Sequence, residues 1–231
     1  MREIVLDTET TGFNADGDDK IIEIGCVELI NYIPSGENYH IYINPKRDVP
    51  IEAQNVHGIT TEFLKDKPLF REIADGFLEF IQEDTLIIHN ASFDIGFLNA
   101  ELKRVRRPIL EMSRVLDTLA LARRKYPAGP NSLDALCRRY NIDNSNRTYH
   151  GALLDSELLA EVYLELSGQK QAKLELANEK KSSDDQFISE GSNKIQAREN
   201  QLPSRLTTEE DTAHQEFLNS FKTDPLWNKY S

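Results

Sequence analysis

Arg2-Glu3-Ile4-Val5-Leu6-Asp7-Thr8-Glu9-Thr10-Thr11-Gly12 decides how the chain is read. Ile4, Val5 and Leu6 are consecutive apolar residues, the pattern of a strand buried on both faces, here over residues 2–8. Side chains two apart on a strand share a face, so Asp7 and Glu9 stand side by side where that buried run ends. Adjacent carboxylates repel, and a cation between them relieves the cost. Oxygen donors suit Mg²⁺ or Mn²⁺. A solvated strand end is the commoner origin of an isolated Asp-x-Glu, so this pair alone does not decide function.

Working outward, Thr11-Gly12-Phe13 makes a turn and Asn14 to Lys20 a polar loop. Strands are expected over Ile21–Ile30 and Tyr39–Ile43, after which Pro45 and Pro50 break the pattern. Ile73, Phe77, Phe80 and Ile81 share one face of a helix over residues 70–82. A short strand follows over Thr85–His89 and a helix over Phe93–Arg104. Arg114–Asp117 reads as a last strand running into a helix, Thr118–Lys125. Ser132 is placed to N-cap the next helix, which ends at Tyr140. The final helix is expected over His150–Leu166, closed by Gly168. Three strands followed by mixed helices and strands give an α/β domain with a mixed sheet.

Two further clusters carry chemistry. In His89-Asn90-Ala91-Ser92-Phe93-Asp94, Asp94 falls in the first turn of a helix, where the helix dipole alone favours an acid. Phe93 stacks on a ligand or, more commonly for Phe, joins the core. In His150-Gly151-Ala152-Leu153-Leu154-Asp155, Asp155 interrupts small and apolar residues. A carboxylate buried there needs a partner or a metal. His150 is either an ordinary helix-start residue or a group able to titrate near neutral pH, as a general base must.

Net charge is −12 over 231 residues, which argues against tight unaided binding to nucleic acid. Residues 103–147 run the other way, with eleven basic residues against four acids. No apolar run approaches bilayer-spanning length, and acids interrupt the N-terminal apolar stretch before a signal peptide could form, so the cytoplasm is the expected address and no membrane contact is expected. Cys26 and Cys137 sit among apolar residues and read as buried thiols. Residues 168–212 are polar and charged, the composition of a flexible linker. Residues 213–231 regain aromatic residues, among them Trp227, the only Trp in the chain. Clustered aromatics at the end of a polar tail suit a docking element.

Taken together, Asp7-Thr8-Glu9-Thr10-Thr11-Gly12, His89-Asn90-Ala91-Ser92-Phe93-Asp94 and His150 with Asp155 five residues on resemble the three motifs of the DEDDh 3′→5′ exonucleases. Asn55-Val56-His57-Gly58-Ile59-Thr60 and Arg147-Thr148-Tyr149-His150-Gly151-Ala152-Leu153-Leu154-Asp155 narrow the resemblance to the proofreading (epsilon) subunits of bacterial DNA polymerase III. It covers residues 1 to about 166 and implies a ribonuclease-H-like fold, a central five-stranded mixed sheet flanked by helices, in an exonuclease domain over 1–167. The resemblance also implies site roles. Asp7, Glu9 and Asp155 would hold the first of two divalent metal ions, Asp94 would act beside them, and His150 would take a proton from the attacking water. Thr8, Thr10 and Thr11 would meet the last nucleotide of a DNA 3′ end, and Val56 and His57 would wedge it, although His57 is equally well explained as a loop histidine. In the tail, Gln171, Leu174 and Leu176 resemble a weak sliding-clamp peptide, for which the plainer account is a helical extension. Leu226 and Trp227 resemble the anchor for the polymerase alpha subunit. The family also suggests a small stabilising subunit. Trimming of RNA by a free-standing nuclease, and a non-catalytic scaffold, are the competing functions; the Trp-bearing tail speaks against the first and the full set of acids against the second.

Overall fold

The computed structural model describes residues 1–145 and 147–168, together with 207, 212, 213 and 217. Gln171, Leu174, Leu176, Leu226 and Trp227 lie outside the described residues. The strands are β1 (Arg2–Thr10), β2 (Ile21–Ile30), β3 (Ile33–Tyr42), β4 (Thr85–Ile88) and β5 (Val115–Asp117). They form one sheet in the order β3-β2-β1-β4-β5. β1, β2 and β3 pair antiparallel, whereas β4 runs parallel to both β1 and β5. The expected five-stranded mixed sheet is therefore present.

The helices are α1 (Ile51–His57), α2 (Thr61–Leu64), α3 (Phe70–Ile81), α4 (Ala91–Arg104), α5 (Thr118–Lys125), α6 (Leu133–Tyr140) and α7 (Ala152–Leu166). They cover both faces of the sheet, and the alternation of β1 sorts them. Even-numbered Ile4 and Leu6 pack with Phe77 and Ile81 of α3 and with Ile95 and Leu98 of α4. Odd-numbered Val5 packs with Val27 and Ile87 against Leu159, Ala160 and Tyr163 of α7. The opposite side of α7, through Leu158, Val162 and Leu166, takes Ala122 of α5 and Leu136 and Cys137 of α6. α7 is thus apolar nearly all round because it is buried between two layers. Burial of one such Leu contributes about 1.5–3 kcal/mol. Tyr163 anchors the helix further by donating a 2.8 Å hydrogen bond to the buried carboxylate of Glu3.

The N-terminus of α7 lies directly on β2. A Cβ at Gly25 would stand 2.2 Å from the carbonyl carbon of Ala152, so only glycine permits this approach. The Ser156 hydroxyl donates to the Gly25 carbonyl at 2.9 Å. Gly151 supplies no side-chain cap. Glu23 of β2 takes that part instead, accepting from the Ala152 N–H at 3.2 Å.

The structure differs from the sequence expectation in three places. β3 begins at Ile33 rather than Tyr39, because Asn31 and Tyr32 both adopt positive φ and close a two-residue hairpin. Tyr is an unusual residue in that conformation, and Pro34 is tolerated because β3 is an edge strand. The segment after Pro50 is not merely broken. It holds α1 and α2, too short for a visible period, pinned through Val49, Ile59 and Leu64 to Ile22 of β2. The last helix starts at Ala152, and His150 stands outside it. Cys26 and Cys137 are both free and buried, as expected.

Candidate active site

Asp7 and Glu9 follow Val5 toward the α7 side of the sheet, where Asp155 in the first turn of α7 meets them. Thr8 faces the other way. Its hydroxyl donates to Asp94 Oδ1 at 2.7 Å and its backbone N–H donates to the same oxygen at 3.1 Å. Asp94 is thereby fixed from α4, whose preceding residue, Asn90, turns the chain with φ 68°. One strand thus recruits an acid from each outer layer.

His150 reaches the group from a loop. Gly151 is extended, and the His150 N–H donates to the Val56 carbonyl at 3.1 Å, which ties this loop to the end of α1. α1 itself stops at Gly58, with φ 72°, against the ring of Tyr149. Donor atoms of Glu9, His150 and Asp155 all come within 4.8 Å of one another. Asp7, Thr8, Glu9, Thr10, Thr11, Val56, His57, Phe93, Asp94, His150 and Asp155 all line a single cleft of about 680 Å³. Every candidate from the catalytic motifs is therefore in one place. The model of the exonuclease (RNase T) family matches residues 4–163, the span that builds this cleft.

The chain belongs to the exonuclease family.

The cleft brings together the four acids and one histidine of the DEDDh pattern that the sequence resembles. The chain is 48% identical over 223 residues to the DNA polymerase III subunit epsilon of Rickettsia felis, covering 95% of this chain and 96% of that one. It is 54% identical over 174 residues to the subunit of the same name from Escherichia coli, covering 72% of each chain. The nuclease domain of 3′hExo, described as a DEDDh family member and solved with rAMP, superposes with a TM-score of 0.62. The match is 16% identical and covers 73% of this chain and 92% of that one, which shows a shared fold.

Burial, reinforced by the crowding of acids, dominates the electrostatics of the exonuclease cleft. Burial, then the charges of Asp94, Glu9 and Asp155, raise the Asp7 carboxyl well above its ordinary range. Burial, then Asp155 and Glu23, push Glu9 up to about 8. Burial raises Asp94 to about 7 against the hydrogen bonds from Thr8. Asp155 is the exception. Burial would raise it, but hydrogen bonds from His150 and Arg147 outweigh that and hold it below the usual carboxylate range. The donor chemistry fits a divalent cation, since the carboxylates of Glu9 and Asp155 converge with the His150 ring and three of the four acids in the cleft are short of positive charge.

The exonuclease also holds functional groups that the sequence reading passed over. Arg147 forks onto Asp155, with Nε to Oδ1 and Nη2 to Oδ2, each at 2.6 Å. In the sequence it stands in a basic stretch and opens the Arg147–Asp155 motif, where it carries no assigned role of its own. Phe13, read as part of a turn, lines the cleft and is 90% exposed. The hydroxyls of Thr8, Thr10 and Thr11 donate to Asp94, to the Gly12 carbonyl and to Asp19, so they offer a ligand oxygen lone pairs rather than protons. Phe93 both lines the cleft and packs on the core beside Phe97. At His57, the Ile59 N–H donates to Nδ1 at 3.0 Å, and burial lowers the ring's pKa. The neutral ring then carries its proton on Nε2, which is buried and faces the Thr10 backbone short of full hydrogen-bond geometry.

Proposed function

We propose that this exonuclease proofreads newly made DNA as the epsilon subunit of a DNA polymerase III. It hydrolyses the 3′-terminal phosphodiester with two divalent ions, Mg²⁺ or Mn²⁺, and releases nucleoside 5′-monophosphates. The observation that carries this reading is the convergence of Asp7, Glu9, Asp94, His150 and Asp155 in one cleft. Asp7, Glu9 and Asp155 would hold the metal, with Asp94 beside them. Bound there, the ions would neutralise the acids and stabilise charge on the attacking and leaving oxygens.

The chain's own groups do the rest. His150 accepts a proton from the attacking water at Nε2. That requires the ring proton to sit on Nδ1, for which Asp155 Oδ2, 3.4 Å away, is the acceptor. The Nε2–H of His57, which faces the Thr10 backbone without full hydrogen-bond geometry, is a donor that would turn to an oxygen of the terminal nucleotide. Val56 and Phe13, both exposed at the cleft, offer apolar surface to the last bases. Docking to the alpha subunit through residues 213–231, with Leu226 and Trp227 as anchor, would deliver DNA ends to an acidic protein. A weak clamp contact through Gln171, Leu174 and Leu176, and a small stabilising subunit, complete the proposed assembly. Action in the cytoplasm belongs to the same reading, and among the described residues no helix is long and apolar enough to cross a membrane.

The test is digestion of a 3′-mismatched primer in Mg²⁺ by the wild type and by Asp155→Ala. Mononucleotide release by the wild type alone is expected. Release by neither protein would favour a scaffold, and equal release by both would mean that the site is wrongly assigned. Faster trimming of RNA than of DNA ends would move the reading to an RNA nuclease.

A further inference from the structure

Among the described residues, no lysine or arginine lines the acidic cleft. Arg147 reaches its acids from behind. The Arg147 side chain is only 7% exposed, and every arm of its guanidinium is engaged. Nε and Nη2 hold both oxygens of Asp155 at 2.6 Å. Nη1 donates to Asp134 Oδ1 of α6 at 2.7 Å. Nη2 also lies 2.8 Å from Nδ1 of His150. Asp134 is braced in turn by the Asn144 amide at 3.1 Å. A planar fork bonded to both carboxylate oxygens is among the strongest side-chain pairings.

Asp155 and His150 are also two of the three groups whose donor atoms converge within 4.8 Å. A guanidinium carries only donors, so its 2.8 Å contact at Nδ1 faces a lone pair and leaves the ring proton on Nε2, at the expense of the longer 3.4 Å hydrogen bond from Nδ1–H to Asp155 Oδ2. The proposed base has the opposite arrangement. Arg147 and a divalent ion therefore make rival claims on the same carboxylate, and the outcome sets the tautomer of His150.

We propose that Arg147 is a resident competitor cation: it pairs with Asp155 and His150, limits the affinity of the cleft for divalent metal, and yields Asp155 to the metal while staying anchored on Asp134. The proposal rests on the metal-dependent reading above. Arg147 is a positioning residue in it, acting through Asp155 and His150. It makes the acidic pocket foldable without tight metal binding, because the acids always have one internal counter-charge.

The experiment is calorimetric titration of Mn²⁺ into the full-length chain for the wild type, Arg147→Met and Arg147→Lys, with melting temperatures in chelator and in saturating Mn²⁺. Arg147→Met keeps an unbranched apolar stem and removes the charged fork. It is expected to bind Mn²⁺ about tenfold more tightly, the scale of one nearby charge in a partly screened site. It should melt below the wild type in chelator, with the gap closing in Mn²⁺. Arg147→Lys keeps the charge but loses the fork, and should gain about threefold. It decides the matter if the Met variant fails to fold in chelator. Equal or weaker Mn²⁺ binding by the variants would overturn the proposal and make Arg147 a simple brace for Asp155, as would a melting gap that is the same in chelator and in Mn²⁺. A wild type that takes up no Mn²⁺ at all would instead sink the metal reading beneath it.

Discussion

Thr8 and Glu9 are neighbours on one strand with opposite electrostatic tasks: Thr8 donates to an acid, whereas Glu9 is pressed among acids. The pressure has a measurable sign. Glu9 rises from an ordinary 4.5 to about 8, so between those values the folded chain holds a proton that the unfolded chain releases. Its contribution to stability is complete below about 4.5 and is lost as pH climbs through about 8. Asp94, raised to about 7, acts in the same direction. Asp155, which is lowered, acts in the opposite sense and only in acid, below its ordinary 3.8. In chelator, the melting temperature should therefore fall from about pH 5 to about pH 8, and Mn²⁺ affinity should rise over the same interval as the carboxyls ionise. A melting temperature flat across that range would contradict the crowded-acid description. At this scale the sequence is partly legible. Strand alternation alone puts Asp7 and Glu9 on one face. Arg147 is illegible, because its role comes from a loop folding back over Asp155, and eight residues of separation carry no periodic signal. The hydroxyl partners of Thr8, Thr10 and Thr11 are hidden for the same reason.

α7 is the element on which the site turns. It brings Asp155, and its start is fixed by Glu23, by Ser156 bonded to Gly25, and by the bare Cα of Gly25 itself. Gly25→Ala sets a methyl against backbone, which cannot rotate away as a side chain could. Overpacking of this kind costs roughly 1–3 kcal/mol. The expected result is a lower urea midpoint with nearly unchanged helical circular dichroism. Hydrolysis and Mn²⁺ binding should fall together as Asp155 is pushed off Asp7 and Glu9. Wild-type metal affinity in this variant would show that α7 is not seated by Gly25. The long elements are readable because hydrophobic period and caps agree: α3 comes within one residue of expectation and Ser132 caps α6 through the Ala135 N–H. The failures are short or conformationally unusual. α1 and α2 have too few turns to display a face, and the Asn31-Tyr32 turn lacks the glycine that advertises a hairpin.

Over the whole chain, a net charge of −12 and a cleft whose described lining holds no lysine or arginine predict weak capture of free DNA. Attachment to a polymerase would replace that missing attraction with a high local concentration. Deleting residues 213–231 should leave hydrolysis of a short primer unchanged and abolish co-purification with the alpha subunit, and retained co-purification would remove the docking proposal. The fold class is legible at this scale because the order of strands and helices restricts an α/β domain to few arrangements. One consequence of the layering concerns the order of synthesis. Thr8 meets an acid 86 residues downstream, and Asp7 and Glu9 wait for α7, which ends at Leu166. A nascent chain emerging from the ribosome therefore has no complete set of acids until nearly the whole domain has left the exit tunnel and closed on both faces of its sheet. The arrangement works as an interlock, in which a chain that could shorten DNA becomes able to do so only once its folding is finished.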